Sequence, residues 1–258
     1  MLNIREDQQN VLGHTAQLHF EDEMLAHCKD FSPQLCETLD DTQLRIAILR
    51  AIENAQQYGL TNRGPVRLYI EMTMLFGSDF DSDPLYPWAH KVLANEEIDV
   101  QSDKADLLFE KTLEYLDSVV GPDDTFAIQA LQRISAFAQT TPAYSTHDYL
   151  SSMLHDISML YPEKANYIGN VKLESMIRKG ASKSSAYGMT NPNDWVVITL
   201  LMFAFGHGCD HDPFYPWISD TLTDEKITDS EKRIKRLRKK SITWLNQVID
   251  WQTKGPHA

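Results

Sequence analysis

The densest group of side chains able to do chemistry is His207, Cys209, Asp210, His211 and Asp212, five candidates within six residues. Thiolate, imidazole and carboxylate are the groups zinc takes, and a structural zinc site wants four of them meeting tetrahedrally from separated positions. Five such near neighbours cannot all converge, and no second Cys/His pair accompanies them. A metal set of His207, Cys209, Asp210 and His211 therefore stands against the plainer reading of a packed loop. A second group, Asp79-x-Asp81-x-Asp83, has the opening spacing of a calcium loop. An EF-hand needs Gly at its sixth place and a bidentate Glu at its twelfth; Pro84 and His90 stand there instead. Local uses account for these acids better. Asp83 before Pro84 has the form of a helix N-cap, and Asp81 can turn a loop by accepting nearby N–H groups.

His and Asp are neighbours at three places: His147-Asp148, His155-Asp156 and, within the first group, Asp210-His211-Asp212. The stretch around His155-Asp156 resembles the central motif of HD-type phosphohydrolases, which are helical metal-dependent hydrolases. That family also needs a metal-binding His upstream and an Asp downstream, and no His lies between His90 and His147. A motif without its context carries little weight. No Gly-x-Ser-x-Gly, P-loop or His-Glu-x-x-His pattern occurs. No catalytic residue is assigned, and no cofactor is expected.

Both chemical groups belong to one loop written twice. Residues 76–88 read FGSDFDSDPLYPW and residues 205–217 read FGHGCDHDPFYPW, identical at eight of thirteen positions and offset by 129. The shared framework is Gly77, Asp81, Asp83 and Trp88, answered by Gly206, Asp210, Asp212 and Trp217. Upstream, Tyr58-Gly59-x-Thr61-Asn62 returns as Tyr187-Gly188-x-Thr190-Asn191 at the same offset. Half of 258 is 129, and a period this long exceeds solenoid units. The expectation is a whole-chain duplication: copy 1 over 1–125, a connecting helix over 126–142 and copy 2 over 143–258, forming one globular unit about a pseudo-two-fold.

The elements that carry these loops read as helices throughout. Residues 16–30 are expected to form one, broken at Ser32-Pro33. Asp40 starts the next, with Leu44, Ile48 and Ile52 on an apolar face. Tyr58-Gly59 ends it. The stretch 64–76 and its counterpart Trp195 to Phe205 are apolar nearly all round, which predicts a central buried pair. Helices restart at Asp83-Pro84 and Asp212-Pro213 by Asp capping and Pro at the first helical position. Longer helices follow at 104–120 and 231–251, the second opened by a Thr228-x-x-Glu231 capping box. No strand alternation is found. The fold class is all-α: two pseudo-symmetric helical repeats around two central apolar helices.

Composition narrows the function classes. At 42% hydrophobic, with ten Phe, ten Tyr and five Trp, the chain can bury a sizeable core. No apolar run approaches membrane-spanning length, and no leader pattern opens the chain, so a cytoplasmic, membrane-free protein is expected. Net charge is −13, but residues 1–129 hold 9 Lys/Arg and 24 Asp/Glu while 130–258 hold 15 and 13. The acidic half argues against nucleic acid and suits solubility or a basic partner. Asp103, Asp106 and Glu110 correspond to Lys232, Lys235 and Lys239, so these helices carry opposite charge. Attraction between them, within the chain or in a homodimer, is set against two independent solvated faces.

The pattern Tyr58-Gly59 with Phe76-Gly77-x-x-Phe80-Asp81-x-Asp83-Pro84-x-x-Pro87-Trp88 resembles helical bacterial proteins encoded beside type VI secretion effectors. Both copies carry it, the second with Cys209 in place of Phe80. The resemblance implies an immunity protein that neutralises an effector toxin, or an adaptor that helps load one. Exposed acids of the first half would then meet a basic toxin, which gives Asp79, Asp103, Asp106, Glu110 and Glu114 as partner-binding candidates. The competing expectations are the metal hydrolase of HD type and a scaffold whose grooves hold a small ligand.

Overall fold

The computed structural model describes residues 6–140 and 143–254 of the chain. Among them are thirteen α-helices, one 3-10 turn and no strand. In order these are α1 (Glu6–Phe31), α2 (Pro33–Cys36), α3 (Asp41–Gln57), α4 (Arg63–Phe76), α5 (Pro87–Leu93) and α6 (Gln101–Val119). After the 3-10 turn Pro122–Asp124 come α7 (Thr125–Ala138), α8 (Tyr149–Leu160), α9 (Pro162–Ile168) and α10 (Asn170–Ala186). The last three are α11 (Pro192–Phe205), α12 (Pro216–Leu222) and α13 (Ser230–Lys254). Among the described residues, no helix is long and apolar enough to cross a membrane.

Local rules set most of the boundaries. Asp40 accepts from the Gln43 N–H at 2.8 Å while the Gln43 side chain accepts from the Asp40 N–H, a reciprocal cap that opens α3. Leu44, Ala47, Ile48, Ala51, Ile52 and Ala55 then line one buried face at helical spacing. In α11 burial is continuous from Val196 to Phe203, so this helix has no solvent face over that stretch. Helices α3, α4 and α5 begin and end 129 positions before α10, α11 and α12 respectively. The long helices α6 and α13 are tied down by inward cations 129 apart: Lys104 donates to the Leu93 carbonyl at 2.9 Å, and Arg233 to those of Tyr187 and Ile227. Helix α6 packs on α9, whereas α13 packs on α7.

Two local expectations are corrected, and one left open between two readings is narrowed. The helices after the repeated loops start at Pro87 and Pro216, not Pro84 and Pro213. Each loop offers two prolines, and the second takes the first helical position because Asp83 and Asp212 are engaged elsewhere. The cap of α13 is Asp229, which accepts from the Glu231 N–H at 2.9 Å; Thr228 is not the capping residue. Asp103, Asp106 and Glu110 form no ion pair with Lys232, Lys235 or Lys239 among the described residues, so the two charged faces are separate within the chain.

Helices α4 and α11 end against each other. Gly77 and Gly206 follow them with φ of +97° and +90°, a region only glycine enters freely. A Cβ on Gly206 would lie 2.7 Å from the Phe76 carbonyl oxygen, and one on Gly77 would run into that of Phe205. Gly59 has φ of +74°, but a Cβ there would meet no atom within 4 Å. Gly206→Ala is therefore expected to cost at least about 3 kcal/mol in urea unfolding, the sum of strain and a backbone clash. Gly59→Ala should cost only about 1 kcal/mol, the strain alone. Equal losses would show that the two helix ends have room to part.

Candidate functional site

The two repeated loops meet face to face and exchange their aspartates. Asp83 accepts from the Leu85 N–H at 2.8 Å and, across the junction, from the His207 N–H at 2.7 Å. Asp212 does the same with the Phe214 N–H at 2.9 Å and the Ser78 N–H at 2.8 Å, and also accepts from Ser78 Oγ at 2.6 Å. Both carboxylates are buried. Burial pushes the Asp212 carboxyl up, and the bonds from Ser78 and Phe214 oppose that rise.

Around this centre runs a chain of alternating charges. Arg50 of α3 donates to Asp79 Oδ1 at 3.0 Å and to the His211 carbonyl at 2.9 Å. His211 spans two carboxylates, with Nε2 2.7 Å from Asp79 Oδ2 and Nδ1 3.1 Å from Asp210 Oδ1. Lys183 of α10 pairs with Asp210, which also accepts from the Tyr187 hydroxyl at 3.1 Å. In the first loop the matching Asp81 accepts from the Tyr69 hydroxyl at 2.8 Å. The hydrogen bonds to Asp210 and Asp79 raise the His211 imidazole to about 9 against the effect of burial. Burial works to raise Asp210, but its bonds from His211 and Lys183 prevail and hold it well below the usual carboxylate range.

These uses bear directly on the metal reading. No three His, Cys, Asp or Glu side chains among the described residues converge as a metal site would require. Cys209 is wholly buried at the position where the first loop has Phe80, and burial pushes its thiol well above its ordinary value, so a thiolate is disfavoured there. Asp210 and His211 hold cationic and anionic neighbours respectively, and His207 lies with Nδ1 3.6 Å from Asp83. The His155-Asp156 pair is divided: His155 is exposed on α8, and Asp156 accepts from the Tyr144 hydroxyl.

The acids assigned to a partner separate into two groups. Asp79 is half-buried in the charge chain, where Arg50 and His211 engage its carboxylate. Asp103, Asp106, Glu110 and Glu114 lie along the outer side of α6, Glu114 beside Lys111 at 2.7 Å. Between them stand Phe109 and Leu113, each 50% exposed and one turn apart. Leu113, like Phe109, lies outside the inward face of Lys104, Leu108, Thr112, Tyr115 and Val119. That phase, read from the sequence, would have identified both residues as outward.

Comparison with known proteins gives no match: no protein-family model, no curated protein and no solved structure is similar to this chain.

The raised imidazole makes a pH prediction. A group whose folded value lies above its unfolded value stabilises the fold fully below the unfolded value, about 6.5 for His, and that contribution fades as pH rises through about 9. The stability advantage of the wild type over His211→Gln, measured by urea midpoints, should therefore be largest near pH 6 and small by about pH 9.5. A constant difference across that range would mean that His211 bridges the two loops as a neutral ring.

Proposed function

We propose that the chain is a non-catalytic protein-binding protein built from two copies of one helical unit, and that it acts as an immunity protein against a secreted bacterial effector toxin. The observation that carries the binding reading is the outer face of α6, where Phe109 and Leu113 lie exposed among Asp103, Asp106, Glu110 and Glu114. Exposed aromatic and aliphatic anchors beside predominantly acidic side chains suit a basic partner surface with an apolar pocket. A long helix held by Lys104 and the packed residues Leu108, Tyr115 and Val119 presents that face rigidly. The duplication is supported by the matched bounds of three helix pairs and by the exchanged contacts of Asp83 and Asp212.

The effector partner rests on the resemblance of the repeated loop to helical proteins encoded beside type VI secretion effectors. An adaptor that delivers the effector would use the same surface, so the two roles part only in a cell. Protection of a toxin-expressing host by this chain supports immunity; secretion that depends on the chain without protection supports an adaptor.

Affinity purification from the native host should recover one basic protein at equal stoichiometry. Phe109→Ala with Leu113→Ala should weaken that complex by about 2–4 kcal/mol, chiefly through faster dissociation. Asp106→Lys with Glu110→Lys should slow association and flatten its salt dependence. A complex unaffected by both pairs would move the contact surface off α6, and recovery of no partner would remove the protein-binding reading.

A further inference from the structure

A cleft of about 420 Å³ opens where the C-terminal ends of α4, α6 and α11 approach α7 and α13. Its size is in the range of small-molecule sites. Most of its wall is apolar, including Leu131 and Ile134. Within it stands Lys164 of α9, 5% exposed. The ammonium donates to the Phe203 carbonyl at 2.6 Å and to the Tyr86 hydroxyl oxygen at 3.3 Å. An ammonium has three donors, so one remains. No carboxylate among the described residues forms an ion pair with it; Asp83 acts only from a distance. Desolvation without a paired anion pushes Lys164 down to about 8.

The simpler account is that Lys164 holds the C-terminal end of α11, where carbonyls lack helical partners and the helix dipole favours a cation. The residue 129 places earlier is Leu35, yet α4 ends in the same way at Gly77 without any lysine. The helix end therefore does not require the charge. Tyr115 places a second phenol on the same wall, its ring centroid 5.4 Å from that of Tyr86, and burial pushes both phenols up, so both stay protonated at neutral pH. Trp244, also on the wall, has a buried indole N–H with no hydrogen-bond partner among the described residues. An adjoining recess of about 320 Å³ shares Trp244 and Tyr215 with the cleft and lengthens it.

We propose that this cleft binds a small monocarboxylate with an apolar body, its carboxylate held by Lys164 Nζ and the Tyr86–Tyr115 hydroxyls and its body against Leu131 and Ile134. A single buried ammonium balances one negative charge. A dianion would leave an unpaired charge inside the fold. The proposal is independent of the α6 surface and stands or falls without it.

The test is calorimetric titration of the full chain with octanoate and 4-phenylbutyrate, each against its alcohol, while Trp fluorescence reports on Trp244. Saturable binding of an acid but not its alcohol is expected, weakened roughly tenfold or more in Lys164→Met. Tyr115→Phe should weaken it by a smaller factor. Because the native ammonium is buried unpaired, Lys164→Met should keep or raise the thermal midpoint. A lower midpoint with no acid binding to the wild type would leave Lys164 as a helix-end support only and overturn the proposal. Equal binding of acid and alcohol, or binding unchanged in Lys164→Met, would also overturn it, as would a wild type that titrates with neither acid, the cleft then being filled by water.

Discussion

Two buried carboxylates, Asp83 and Asp212, determine how the rest of the molecule is arranged. Placing a carboxylate in a protein interior costs several kcal/mol unless its lone pairs are met. Here each is met by two backbone N–H groups, one from its own loop and one from just beyond the helix-ending glycine of the other loop. The contact can exist only if α4 and α11 end within a few ångströms of each other, and glycine at 77 and 206 is what allows that approach. Neither loop can satisfy its aspartate alone. The two halves of the chain are thereby coupled at a point where separation would strand buried charge.

What packs next follows from this junction. Each loop delivers a Tyr-Pro-Trp segment that begins a short helix, and its Tyr stacks against the last Phe of the preceding long helix. Phe76 lies 4.8 Å from Tyr86 and 5.3 Å from Tyr115; Phe205 lies 4.5 Å from Tyr215 and 4.6 Å from Trp244. These tilted and edge-on ring contacts tie the loops to α6 and α13. The cleft containing Lys164 is lined by members of both aromatic groups, so its shape is set by the same interaction that joins the halves. Outside the junction, Arg50, Asp79, His211, Asp210 and Lys183 close the polar rim. The rim charges are compensated locally, which leaves the exposed acids of α6 as a separate surface feature.

Rules that act within a few residues are legible in the sequence. The Asp40–Gln43 cap, the glycine stops at 59, 77 and 206, and the apolar faces of α3 and α11 all depend on near neighbours. The same reasoning misreads Asp83-Pro84, because Asp before Pro is a good helix opener when the aspartate is free. It is not free: its second oxygen is claimed by His207, 124 residues away. A contact of that separation has no local signature. Metal chemistry is suggested at 207–212 for a related reason. Residue types that bind zinc also build ion-pair networks, and only the positions of Arg50 and Lys183 decide between the two. Lys164 is invisible as a site, since a lysine in the first turn of a short helix is ordinary until its head group is found buried.

On the proposed duplication, the differences between the copies are more informative than the identities. Identities gather where the loops must reciprocate: glycine, aspartate, the Tyr-Pro-Trp segment. Differences gather where only one side is constrained. Cys209 fills the space of Phe80, Trp244 stands for Tyr115, and Lys164 for Leu35. Helix α7 packs on α13, whereas α6 packs on α9, and α7 supplies Ala127, Leu131 and Ile134 to the wall of the cleft. A symmetric framework would bury both flanks alike and leave no cavity. The asymmetric arrangement leaves a space lined from both halves of the chain, and Lys164 reaches into it from α9. The framework thus explains why polar groups of the cleft are left with unused donors: they lie where the reciprocal constraint that satisfies the aspartates no longer operates.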